Sequence, residues 1–221
     1  MRKKISPKAI LIPTLSLFLI CAVVTALLAV TNSVTAEKIA ANEAQSKQES
    51  MRKVLPDATD FTPVFEDSAD YEIYLASCAV DDATTASIGF AISTAASGYG
   101  GQVKVMTGFD LAGSIVGVDV FYNDDETPGL GKNTSNQAFT DQYKGLTAGE
   151  DIVVSKDAAA GNGQIVDAVT SATISSRAVT AAVNEACAIY NEMCASFLED
   201  AASVSTVGGV DDSQVTVKEA E

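Results

Sequence analysis

The stretch Asp167-Ala168-Val169-Thr170-Ser171-Ala172-Thr173-Ile174-Ser175-Ser176-Arg177-Ala178-Val179 decides how this chain is read. A short, hydroxyl-rich turn passes directly into a segment where Val179, Val183, Ala186, Tyr190, Met193 and Phe197 recur at steps of three and four. That spacing puts apolar side chains on one face and predicts a buried helix that starts at the turn. The first N–H groups of a helix have no partner within it, and the positive end of its dipole lies there, so a helix start holds anions well. The N–H groups of Ile174, Ser175 and Ser176 are placed to point outward, Ser171, Thr173, Ser175 and Ser176 add hydroxyls, and Arg177 adds a positive charge. An ordinary cap at Ser171 or Thr173 would use the same residues. The rest of the chain has to decide between the two.

Upstream, from Asp57 to Gly163, the pattern is β-like. Ser87–Ile92, Gln102–Thr107 and Ser114–Phe121 read as strands, and Leu111-Ala112-Gly113 reads as a tight hairpin between the last two, so an antiparallel sheet is expected. Asn136–Tyr143 reads as a short helix and Asp151–Val154 as a further strand. The third strand runs into Glu126-Thr127-Pro128-Gly129-Leu130-Gly131. Pro128-Gly129 is a turn signal, the glycines allow a close backbone approach to a flat ligand, and Leu130 offers an apolar contact.

Composition removes several classes of chemistry. The chain has no histidine, so a Ser-His-Asp or Cys-His nucleophile is excluded. Cys21, Cys78, Cys187 and Cys194 form no C-x-x-C pair, which leaves zinc, iron–sulfur and thioredoxin-like chemistry without support. Cys187 and Cys194 stand about 10 Å apart along one helix, too far to bond each other. Core packing is the expected role for both, and a bridge from Cys78 to one of them stays open. Neither a phosphate-binding G-x-x-x-x-G-K-S/T loop nor a dinucleotide fingerprint is present. With 29 acidic against 14 basic residues and a formal net charge of −15, the chain's field opposes nucleic acid. A bound redox cofactor suits a site this poor in catalytic side chains, because the cofactor carries the chemistry itself.

The N-terminus sets the topology. Arg2, Lys3, Lys4 and Lys8 precede an apolar run from Ala9 to Val30, and no acidic residue appears before Glu37. As a helix the run is about 33 Å long, enough to cross a bilayer core. The flanking charge predicts a cytoplasmic N-terminus, with everything after Thr31 outside the cytoplasmic membrane. Val34-Thr35-Ala36 also resembles a signal-peptidase site, but the apolar run is longer than a usual signal sequence, so an uncleaved anchor is expected. Ala36–Val54 lacks Gly and Pro and is rich in Ala, Glu, Gln and Lys, which predicts a helical stalk ending near Leu55-Pro56.

The run from Asp167 to Val179 resembles the flavinylation motif of the FMN-binding domain family, roughly Asp-x-x-(Ser/Thr)-(Gly/Ser)-Ala-Thr. Glu126–Gly131 is similar to the E-T-P-G-L-G loop of that family, and Gly98-Tyr99-Gly100-Gly101 and Lys104–Asp110 match it in order and spacing. Ser171 stands where glycine is common. Asn123-Asp124-Asp125 stands where the family often has a histidine. Within the family the chain most resembles the G subunits of Rnf-type ion-translocating electron-transport complexes.

The resemblance implies an α+β fold, an antiparallel sheet with packed helices, preceded by one transmembrane helix. It implies covalent FMN, held through a phosphoester at Thr173 and framed by Ser171, Ala172, Ile174 and Ser175. Thr127, Gly129, Leu130 and Gly131 would pack on the flavin, with Tyr99 as a further wall. A separate Mg-dependent flavin transferase would recognise Asp167 and Thr170. The implied activity is electron relay within a multisubunit membrane complex that couples ferredoxin:NAD⁺ oxidoreduction to Na⁺ or H⁺ transport, with no complete active site in this chain alone.

The expected organisation is an N-terminus and anchor over 1–31, a stalk over 32–56, the FMN-binding domain over 57–200 and an acidic, disordered tail over 201–221. Alternatives are the C subunit of a sodium-pumping NADH:quinone reductase, a stand-alone extracytoplasmic flavoprotein, and an anchored binding module with no cofactor.

Overall fold

The computed structural model describes residues 7–65, 71–81, 84–155, 164–194 and 196. The expected tail, and Phe197 of the expected helix face, lie outside these residues. The chain forms two compact units, Met1–Gln45 and Ser46–Glu221.

The apolar run and the alanine-rich segment after it make one helix, α1 (Pro7–Val54), which ends just before Leu55-Pro56. The residue before a proline is pushed out of helical geometry, and the proline ring cannot extend the ladder. Apolar side chains of the first unit, among them Leu11, Leu15, Phe18, Leu19 and Leu27, are exposed. This helix is long and apolar enough to cross a membrane.

The second unit is built on a five-stranded sheet in the order β1 (Asp60–Phe65), β2 (Tyr71–Asp81), β3 (Thr84–Ser97), β4 (Gln102–Asp110) and β5 (Ile115–Tyr122). Every neighbouring pair is antiparallel, for instance Ile92 opposite Thr107 and Thr107 opposite Val118. The β4–β5 turn is the one expected at Leu111-Ala112-Gly113. The Asp110 carboxylate accepts the N–H groups of Ala112 at 2.9 Å and Ser114 at 2.8 Å, and Gly113 takes φ +82°.

Alternation along the strands divides the core in two. On one face Ile73, Phe90, Ile92, Val103, Val105 and Phe109 pack under α3 (Thr173–Ile189) through Val179, Val183 and Ala186, and under Tyr190 in the π-helical turn (Tyr190–Cys194) that continues it. This is the helix face read from the sequence. On the other face Tyr74, Ala76, Ala91 and Met106 pack against Met51, Val54 and Leu55, so the last turns of α1 belong to this unit's core. Polar ties lock α3 down: Thr94 donates to the Ala182 carbonyl at 2.9 Å, and the Tyr143 and Thr180 hydroxyls share a bond of 2.7 Å.

Between β5 and α3 lie a 3₁₀ turn (Gly131–Ser135), α2 (Gln137–Thr140) and a second 3₁₀ turn (Asp141–Tyr143). The short helix expected over Asn136–Tyr143 is therefore part α and part 3₁₀. Next come β6 (Ile152–Ser155), expected, and β7 (Gln164–Asp167), not expected. They pair parallel as a separate small sheet, a departure from the antiparallel expectation. Four residues are too few to show a period, and the partner that makes β7 a strand is remote in sequence. Asn184 of α3 holds β6 by accepting the Ile152 N–H at 3.0 Å and donating to its carbonyl at 2.9 Å.

All four cysteines are unpaired, so the bridge left open for Cys78 is not formed. Cys187 and Cys194 are buried in the core under α3, which fits packing.

Candidate flavin site

The hydroxyl-rich turn and the E-T-P-G-L-G loop meet across one pocket of about 430 Å³. Its lining is Tyr99, Glu126, Thr127, Leu130, Gly131 and the continuous stretch Ser171–Ser175. Segments far apart in sequence converge because each sits at an end of a core element. Tyr99 is in the β3–β4 turn, the loop follows β5, and Ser171–Ser175 opens α3.

At the start of α3 the N-cap position is held by Ala172, and no side chain caps the helix. The cap by Ser171 or Thr173 allowed by the sequence is therefore not made. The Ser176 N–H closes the first turn on the Ala172 carbonyl at 2.9 Å. Ser176 is thus not one of the outward N–H groups, a correction to the expectation, and the unpaired ones of this helix start are those of Thr173, Ile174 and Ser175.

The four hydroxyls of the turn differ sharply. Ser176 is buried and doubly bonded, donating to the Ala172 carbonyl and accepting the Val169 N–H, both at 3.0 Å. Ser175 is buried and donates to Glu126 at 2.8 Å. Ser171 is exposed at φ +64°, in the left-handed region. Thr173 is half-buried, lines the pocket, and its hydroxyl has no hydrogen-bond partner among the described residues. Thr173 is therefore an available nucleophile held beside unpaired N–H donors.

The walls are apolar and open: Tyr99 is 72 % exposed, Ile174 55 % and Leu130 43 %. Large apolar side chains standing free around a cavity are what a flat aromatic ligand covers. The loop's turn forms at Pro128-Gly129, with Gly129 at φ +79° and the Leu130 N–H bonded to the Thr127 carbonyl at 3.1 Å. Gly129 shapes that turn and is not part of the pocket lining, whereas Thr127, Leu130 and Gly131 are.

Asp167 and Thr170 are exposed and outside the lining. The Asp167 backbone is tied to Gln142, whose side chain accepts its N–H at 2.8 Å. Arg177 is exposed and also outside the lining. Asn123 and Asp124 hold the loop from outside the pocket, through the Lys132 carbonyl at 3.3 Å and the Lys132 ammonium at 3.1 Å. Glu126 is the lining residue that the sequence did not single out. It opens the Glu126–Gly131 loop, but in an acidic chain nothing local signals that this one carboxylate is buried.

An uncapped helix start, a free hydroxyl beside it and an apolar slot of this size suit a ligand with a phosphate at one end and a flat ring at the other. Comparison with known proteins agrees. The family model described as FMN-binding domain matches residues 98–188, which include every pocket-lining residue, and that described as RnfG N-terminal region matches residues 1–54.

The G subunit of the Na⁺-translocating ferredoxin:NAD⁺ oxidoreductase complex of Acetobacterium woodii is 34% identical over 186 residues, covering 80% of this chain and 89% of that protein. The G subunit of an ion-translocating oxidoreductase complex of Methanosarcina acetivorans is 31% identical over 175 residues, covering 77% and 89%. Among solved structures, the C subunit of the Na⁺-translocating NADH-quinone reductase of Parabacteroides distasonis is similar, with 23% identity, a TM-score of 0.46, and coverage of 55% of this chain and 61% of that one. The chain belongs to the family of G subunits of Rnf-type oxidoreductase complexes and contains its FMN-binding domain.

Proposed function

We propose that this chain is a membrane-anchored electron-transfer protein that holds FMN covalently on Thr173. The observation that carries the reading is the unbonded Thr173 hydroxyl in a pocket at an uncapped helix start. The N–H groups of Thr173, Ile174 and Ser175, with the helix dipole behind them, would hold the phosphate. Leu130, Ile174 and Tyr99 would cover the ring, with Thr127 and Gly131 at the loop side. Bound flavin supplies the one-electron chemistry that no side chain here can. The residues of this chain bind it, orient it and limit its contact with water.

Attachment breaks the Thr173 O–H bond and forms a P–O bond, the proton leaving with the group displaced from an activated flavin nucleotide. A separate flavin transferase would do this, and the exposed Asp167 and Thr170 beside the turn are accessible to such an enzyme. The basic residues before α1 favour a cytoplasmic N-terminus and a flavin domain on the outer side. Ferredoxin and NAD⁺ chemistry would then belong to other members of the complex, which in the relatives is Na⁺- or proton-translocating.

The test is the intact mass of the full chain co-expressed with an active flavin transferase, beside Thr173→Ala. Wild type is expected to gain the mass of one FMN less one water, and the variant to gain nothing. A wild type left unmodified while a control substrate is flavinylated would rule out the covalent reading and favour a cofactor-free anchored module.

A further inference from the structure

Glu126 stands on the pocket floor, and the attachment chemistry gives it no role. It is 2% exposed, and among the described residues it has no ion pair. Burying a carboxylate without a cation costs several kcal/mol unless hydrogen bonds replace the lost water. Here they do. Oε1 accepts the N–H groups of Tyr99 at 2.7 Å and Gly100 at 3.3 Å, and Oε2 accepts the Ser175 hydroxyl at 2.8 Å. Gly98 and Gly131 make room for the carboxylate, since a Cβ at Gly98 would overlap Oε1 and one at Gly131 would overlap Oε2.

These bonds join segments that no other side-chain hydrogen bond among the described residues ties together at this pocket. The β3–β4 turn carries the Tyr99 wall, the loop after β5 carries Thr127 and Leu130, and the first turn of α3 carries Thr173. Ser175 is two residues beyond Thr173 on the same helical turn, so holding its hydroxyl sets where the Thr173 hydroxyl stands relative to both walls. A charged acceptor makes each of these bonds stronger than a neutral one would be.

We propose that Glu126 is the positioning residue for flavin attachment: it fixes the acceptor turn of α3 against the two walls of the slot before the flavin arrives. The inference rests on the flavin reading above. It adds that presentation of Thr173 depends on one buried carboxylate bridging three segments. Preorganisation of this kind matters because a small misplacement of a reacting hydroxyl is costly in rate.

The test follows flavin incorporation into the full chain in detergent with a purified Mg-dependent flavin transferase, by intact mass over time and by peptide mapping. Wild type is compared with Glu126→Ala, Glu126→Gln and Ser175→Ala. Glu126→Ala should slow incorporation roughly tenfold or more. Glu126→Gln should stay within about threefold of wild type. Its carbonyl can accept from Tyr99 and Gly100, and its amide can donate to the Ser175 oxygen.

Should Glu126→Ala prove unfolded in a thermal melt, Ser175→Ala carries the test, because it cuts the tie to α3 and leaves the other two. A severalfold slowing with an unchanged melt is expected of it. Incorporation into folded Glu126→Ala at the wild-type rate, or a Gln variant as slow as the Ala variant, would overturn the proposal. A wild type that takes up no flavin overturns the flavin reading itself, so the two failures are distinguishable.

Discussion

At the scale of single residues, Ser171 and Thr173 show how backbone geometry separates chemically similar side chains. Ser171 adopts φ +64°, where a Cβ crowds the carbonyl and glycine is the natural occupant. That explains why glycine is common at this position of the motif. Ser171→Gly removes a steric cost of about 1–2 kcal/mol but frees the unfolded chain by about 0.4–1 kcal/mol. The expected outcome is a urea midpoint at or modestly above wild type with flavin loading retained. Ser171→Val puts a β-branched side chain where it is least tolerated and should destabilise by roughly 1–3 kcal/mol, seen as a lower midpoint. A valine variant as stable as the glycine one would contradict the left-handed assignment. Thr173, two residues on, is in the helix and keeps its hydroxyl unbonded. No composition rule distinguishes it from Ser175 or Ser176, which spend theirs on Glu126 and the helix backbone.

At the scale of elements, the end of α1 lies against the sheet at close range. A Cβ at Gly108 would come within 2.9 Å of the Val54 carbonyl oxygen, and one at Gly117 within 3.1 Å of Val54 backbone atoms. The Ser50 hydroxyl of α1 is buried, and so is the Thr107 hydroxyl of β4, which by strand alternation lies on the α3 face between Ile92 and Val118; neither finds a hydrogen-bond partner among the described residues. An unsatisfied buried hydroxyl costs about 1–3 kcal/mol. Thr107→Val keeps the shape and removes the hydroxyl, so it should stabilise the fold by about 1 kcal/mol, read as a raised urea midpoint with an unchanged slope. A loss of stability on that substitution would show that the hydroxyl has a partner.

At the scale of the whole molecule, the core under α3 concentrates protonated acids. Burial pushes the Cys187 thiol up to about 11, with Asp151 adding to the shift, and pushes Cys194 up to about 12. Burial raises the Tyr143 phenol, partly offset by its bond to Thr180. It also raises Tyr190, with Cys194 and Asp110 adding to the effect. A folded-state pKa above the unfolded one means that the native chain holds protons which the unfolded chain releases. Their contribution is complete below about pH 9, the ordinary thiol value, and is lost as pH rises through the folded values of about 11 and 12. Urea midpoints should therefore fall from about pH 8.5 to about pH 11, and Cys187→Ala should fall less steeply. A flat profile across that range would mean that these thiols are not buried in solution.

The sequence by itself determined the long N-terminal helix up to Leu55-Pro56, β3 to β6, the long α3 and the turn that opens it, because each rests on local signals. These are hydropathy over a bilayer's length, a period of two or of 3.6, and a Pro-Gly or hydroxyl-rich turn. Only the tertiary structure decided the rest. β7 exists through a parallel partner, and the last turns of α1 belong to the core of the second unit because Met51, Val54 and Leu55 cover Ala91 and Met106. Above all, Glu126 becomes the floor of the pocket through contacts with residues 26, 27 and 49 positions away. Burial and hydrogen bonding at such separations depend on which segments the sheet and helix bring together, and no window of local sequence contains that information.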